Sequence, residues 1–160
     1  MLGKNLTDIV SSMQSTTPKQ VNAKKGQIPS FSFSDYSTAL RWVRSLARNN
    51  SDVFPIEKVL EEMGVSIHLE EMESGELSGY IEQRADGWHI GINKYEVLGR
   101  QRFTLAHELA HLLFHRHIIV NGRFQEAIKL YRSEDSFVHI EMEANMFAAE
   151  LLMPSERFRE

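Results

Sequence analysis

The stretch HELAHLLFHRH, from His107 to His117, holds four of the chain's seven histidines. Imidazole is the commonest metal-binding side chain, so such crowding points to a metal site. His107 and His111 stand four residues apart. On a helix they share one face about one turn apart, and both rings can reach a single ion. Glu108 lies close to that face and can reach a water on the same ion. In this H-E-x-x-H arrangement the metal acidifies the water, and the carboxylate takes its proton as it attacks a carbonyl. His107 and His111 are therefore candidate ligands and Glu108 a candidate general base. The surrounding RQRFTLAHELAHLLFHR is apolar around most of its circumference, which predicts a buried helix. Histidine and glutamate buried there need partners, and a metal with its water would satisfy all three.

Two histidines are not a complete site, because a catalytic zinc takes three protein ligands and keeps one position open. His117 would complete H-E-x-x-H-x-x-F-x-x-H, close to the metzincin pattern H-E-x-x-H-x-x-G-x-x-H. The glycine of that pattern turns the chain back, and Phe114 stands in its place here at a steric cost. On a continuing helix His117 points about 120° away from His111, and His107, His111 and His115 spread along about 12 Å of axis. The expected third ligand lies instead in FVHIEMEANMFAAELLM. With Glu141 at zero and 100° per residue, Phe137, Ala144, Ala148, Leu151 and Leu152 fall within about 80° of it, while His139, Glu143 and Glu150 lie opposite. Glu141 is then a carboxylate on an apolar face, which a metal would explain. The competing reading is a buried ion pair with Arg102 or Arg123. Asn145, one turn on, is placed to hydrogen-bond a ligand. Glu143 reads as a surface charge. Two histidines and a carboxylate suit Zn2+, and could also take Fe2+, Mn2+ or cobalt.

The elements that must position these groups are legible in outline. Residues 1–30 are rich in Ser, Thr, Gln, Asn and Lys and read as a flexible or partly helical lead. Residues 31–160 read as one domain. SDYSTALRWVRSLARNN has helical spacing, with Ser34 or Asp35 as cap, and FPIEKVLEEMG is a second short helix between Pro55 and Gly64. The period then falls to two in VSIHLEEM, LSGYIEQR and GWHIGINK, with turn residues Ala85-Asp86-Gly87 between the last two. These predict a small three-stranded antiparallel sheet, with His68 and His89 as bystanders on strands. GWHIGINK, which runs straight into the histidine helix, is the expected edge strand. GRFQEAIKLYRS predicts a shorter helix, and Pro154 stops the last one. The fold class is α+β, a small sheet on a helical core.

Composition narrows the function. The chain of 160 residues is long enough for one real core, and 42 % apolar content is ordinary for a globular protein. A net charge of −4 argues against a general nucleic-acid binder. With no cysteine there are no disulfides or thiolate sites. MLGKNLTDIVSSMQSTTPKQ is too polar for a signal peptide, and no run approaches the ~18 apolar residues of a membrane span. A cytoplasmic protein with no membrane partner is expected.

RFTLAHELAHLLFH followed by EMEANMFAAELLMP resembles the ImmA/IrrE family of zincin metallopeptidases, over roughly residues 53–154. Ala110 replaces the usual glycine of H-E-L-G-H. The resemblance implies a gluzincin-like site, with His107, His111 and Glu141 as zinc ligands and Glu108 as general base. It further implies endoproteolysis of a helix-turn-helix repressor encoded nearby, during stress or mobilisation of an element. The runner-up is a binding module in which the zincin fold holds a repressor or antitoxin without cleaving it. An intact Glu108 favours the enzyme, since a structural zinc needs no base. Tyr131, His139, His115 and Arg123 are the candidate oxyanion donors.

Overall fold

The computed structural model describes residues 27–47, 53–72, 78–119, 123 and 134–153. Most of the N-terminal lead, the predicted GRFQEAIKLYRS helix apart from Arg123, Tyr131 and Pro154 lie outside the described residues. A 3-10 turn at Phe33–Asp35 opens the first helix, α1, Tyr36–Ser45. The turn is capped by Ser32, whose hydroxyl accepts from the Ser34 amide at 3.2 Å, while Asp35 makes no side-chain cap. Cap and helix start are thus separated by one 3-10 turn that the residue pattern does not reveal.

Helix α2, Ile56–Glu62, follows Pro55 and stops in a Schellman turn. Gly64 at φ +80° donates to Glu61 O, and Val65 donates to Leu60 O, both at 3.0 Å. That chain reversal feeds strand β1, Ser66–Glu70. Strands β2, Gly79–Arg84, and β3, Gly87–Asn93, form the predicted hairpin around Ala85-Asp86.

The three-stranded sheet is present, but its order is β1-β3-β2 and β1 runs parallel to β3. The sheet is therefore mixed rather than antiparallel, and β3 is its centre, not its edge. The burial of β3 fits that place, since His89 to Asn93 are all buried. Ile81, Ile90 and Ile92 face the helices. On the other face Tyr80 lies across Gly91, donates to Glu70 Oε1 at 2.5 Å and carries the Arg123 guanidinium 3.9 Å above its ring.

Helix α3, Leu98–Phe114, is the histidine helix, and it is buried continuously from Leu109 to Phe114. It packs against α4, Glu134–Leu152, in the most extensive helix-helix contact among the described residues. Small side chains allow the approach: Ala106 and Ala110 on α3, and Ala144 and Ala148 on α4, are fully buried. Phe147 and Leu151 complete the α4 face. Burying side chains of this size contributes roughly 1.5–3 kcal/mol each. The Arg102 guanidinium ties α3 to α2 through both Glu57 oxygens, at 2.9 and 2.7 Å, and through Phe54 O.

The face that α4 buries keeps Ala144, Ala148 and Leu151 of the helical wheel above but is rotated from it. Glu143, Ala144, Phe147, Ala148 and Leu151 are buried, while Phe137 is exposed. That stripe is centred about 90° around the helix from Glu141. Glu141 sits on one margin of it and Glu143 on the other.

Candidate metal centre

Helix α3 offers His107 and His111 from successive turns, with the rings nearly perpendicular, 87° apart. Their Nε2 atoms are 3.0 Å from each other. Across the α3–α4 seam, Glu141 Oε2 is 3.1 Å from His107 Nε2 and Glu141 Oε1 is 3.1 Å from His111 Nε2. These residues are the group of three among the described residues whose donor atoms lie close enough to hold one ion. Tetrahedral ligands at about 2.0–2.1 Å from an ion stand about 3.3 Å apart, close to the contacts of 3.0–3.1 Å in this triangle of residues, in which Glu141 offers a different oxygen to each ring. Two ring protons could serve the two carboxylate contacts, but they would then face each other across the 3.0 Å Nε2–Nε2 contact, which a cation between the donors relieves. The donor set thus fits a metal. Arg102 and Arg123, the alternative partners for Glu141, are paired with Glu57 and Glu82 instead.

Asn145 Oδ1 is 2.8 Å from His107 Nδ1, one turn along α4 from Glu141. His117 is exposed and takes no part in the triangle. The helix does not continue through it. It ends at Phe114, His115 leaves helical geometry at φ −122°, and Arg116–Ile118 form a 3-10 turn. Phe114 itself is buried in an aromatic cluster with Phe33 and Phe147, each 5.2 Å away between ring centres.

The electrostatics follow from burial. Burial pushes the Glu108 carboxyl up to about 7, helped by the Glu141 charge and opposed by His107. Burial pulls His111 down to about 4. Burial also lowers His107, but the carboxylates of Glu141 and Glu108 outweigh it and leave the ring above its usual value. For Glu141 burial favours the neutral acid, yet contacts with both histidines win and hold it far below the usual carboxylate range. A neutral His111 and an ionised Glu141 are the forms that bind metal. A carboxyl near 7 is matched to moving protons at neutral pH.

A family model, the IrrE N-terminal-like domain (Peptidase_M78), matches residues 60–160. The chain belongs to this family. It is a metallopeptidase family, and the matched span contains α3, α4 and the whole triangle. No curated protein matches the sequence.

Glu143 does not lie on the surface, where the sequence pattern predicts it. Glu143 is buried, and its Oε1 is 3.1 Å from Nε2 of His115, which is buried too. The rotated stripe on α4 brings Glu143 to the inner margin. His115 was the available signal, since it follows His111 by the same four residues that separate the ligand candidates. Of the suggested oxyanion donors, His115 is thus engaged in the interior, His139 is exposed, and Arg123 lies over Tyr80. Among the described residues no helix is long and apolar enough to cross a membrane.

Proposed function

We propose that the chain is a zinc-dependent endopeptidase acting on a helix-turn-helix repressor in the cytoplasm. The observation that carries the reading is the convergence of His107, His111 and Glu141 at 3.0–3.1 Å, with a buried carboxyl at Glu108 in the same helical turn. His107, His111 and Glu141 would hold the zinc, and Asn145 would fix the His107 ring. Zinc, when bound, supplies Lewis acidity and a water acidified enough to attack at neutral pH. Glu108 would act as the general base and acid, accepting a proton at its carboxylate and delivering it to the leaving amine. Burial serves both transfers, because it raises the proton affinity of the Glu108 carboxyl above that of an exposed glutamate.

The substrate would lie extended along β2, the edge strand that packs on α3. A Cβ on Gly79 would stand 2.5 Å from Thr104 Cγ2, so β2 crosses α3 one turn before His107. The outward backbone of β2 already takes an antiparallel partner at Glu82, which bridges to Arg123. An edge of this kind holds a peptide through main-chain hydrogen bonds. The repressor as substrate class rests on the family resemblance, and the cytoplasmic location on a cysteine-free composition.

The test is to incubate zinc-loaded protein and its Glu108→Gln variant with the helix-turn-helix protein encoded beside it. Cleavage by the native chain and not by the variant is expected. Stable binding by both, with no cleavage by either, would overturn the enzyme reading in favour of a binding module.

A further inference from the structure

His115 and Glu143 stand behind the triangle, on the side away from the converging nitrogens. His115 Nδ1 is 3.0 Å from His111 Nδ1, and His115 Nε2 is 3.1 Å from Glu143 Oε1. His111 and His115 are 1 % and 3 % exposed, so water does not compete for these contacts. A carboxylate only accepts, so the Glu143 contact requires a proton on His115 Nε2. A neutral His115 then has a bare Nδ1 that can only accept. His111 must answer with a proton on its own Nδ1, which leaves the His111 Nε2 lone pair directed at His107 and Glu141. Each ring's proton is set by the group behind it.

We propose that Glu143 and His115 are positioning residues, a two-step hydrogen-bonded chain that locks His111 with Nε2 ready to bind the metal. The inference rests on the zinc reading given above. Asn145 does the same for His107 in a single step, its amide oxygen accepting from Nδ1. The two ligands of α3 are therefore oriented from opposite margins of the buried stripe of α4, His107 by Asn145 and His111 by Glu143 through His115. Helix α4 supplies one ligand and both orienting groups. The i+4 repeat His107, His111, His115 is then two ligands and a support, not three ligands.

The experiment measures zinc affinity by competition with a chromogenic chelator. It uses the native chain, His115→Phe, which fills the same space without a ring acceptor, and Glu143→Gln, which removes the charge. Removing an orienting group lowers affinity about 10–100-fold in such sites. That loss is expected for His115→Phe, with a smaller one for Glu143→Gln and no further loss when the two are combined. Nitrogen-15 NMR of the chelator-treated native chain should show His111 protonated at Nδ1, a signature that packing alone would not impose. If the native chain binds no zinc, the proposed function fails and takes this inference with it. If the native chain binds zinc and folded His115→Phe binds it within twofold as well, the inference alone fails. Should His115→Phe not fold, the NMR spectrum decides, and a His111 proton on Nε2 overturns the chain.

Discussion

The histidine pair on the sheet and the histidine pair between the helices each touch a carboxylate. On the sheet, His68 Nε2 is 2.8 Å from His89 Nδ1, and His89 Nε2 is 2.7 Å from Asp86 Oδ1. Between the helices, His107 and His111 bring their Nε2 atoms to 3.0 Å beside Glu141. The rings of the sheet pair are nearly parallel, 11° apart, and those of the helix pair nearly perpendicular. The parallel pair strings its contacts in a line, from His68 to His89 to Asp86. The perpendicular pair aims two nitrogens at one point that a third donor also faces. Composition and proximity are shared; convergence belongs to the helix pair. Strands display neighbours side by side, whereas successive helix turns can aim at a common target when a second helix closes the angle.

The largest expected effect comes from breaking the convergence. His107→Ala, His111→Ala or Glu141→Ala should reduce bound metal from one equivalent to none after dialysis, while His68→Ala and His89→Ala keep it. Elemental analysis checks this, and metal retained by Glu141→Ala would show that the triangle is not the site. Next, Glu108→Gln should keep the metal but slow peptide cleavage by about 10²–10⁴-fold, the usual contribution of a general base. Asn145→Ala should weaken zinc binding by about 10–100-fold, read by chelator competition.

A smaller effect concerns pH in chelator-treated protein. Glu108 is raised to about 7, so the native state holds a proton that the unfolded chain releases above about 4.5. Its stability contribution is present at low pH and is lost as pH rises through 7. His111 is lowered to about 4, so the unfolded chain takes up a proton below about 6.5 that the native state refuses. That contribution is present above the unfolded value and is lost as pH falls through 4. The two slopes oppose between about pH 4.5 and 6.5. Glu108→Gln removes the first, so the variant should gain stability over the native chain between pH 5 and 8, by on the order of 1–3 kcal/mol. Urea titrations at both pH values measure it. No such gain would mean that Glu108 is not held neutral by burial.

What the sequence made legible was local. His107, Glu108 and His111 lie within two helical turns, and their spacing alone brings them to one face. The β2–β3 hairpin announced itself by a two-residue turn and flanking alternation. Glu141 stood out because its neighbours on the wheel are apolar. The wheel does not fix the orientation of α4: it predicts Phe137 inward and Glu143 outward, whereas Phe137 is exposed and Glu143 is buried. An amphipathic pattern with a broad apolar arc does not fix which part of the arc meets the partner helix. The place of β1 was equally hidden. Parallel pairing with β3 is decided by which edge the β2–β3 hairpin leaves free, and no turn residue encodes that choice.

The end of α3 has a further consequence. The Leu113 carbonyl, one of the last in the helix, accepts from the Phe31 amide at 2.7 Å, and Arg116 donates to the carbonyls of Ile28 and Pro29. Phe31, Phe33 and Tyr36 gather around Phe114, and Ala39 and Val43 of α1 are fully buried in the same core. The family match begins only at residue 60. A fragment cut there would keep every candidate ligand and lose the anchor at the far end of the helix that carries two of them. The matched stretch and the packed core are different lengths of chain. Divergence in residues 28–43 can therefore tune metal retention from a distance, by loosening a helix end rather than by touching the ion.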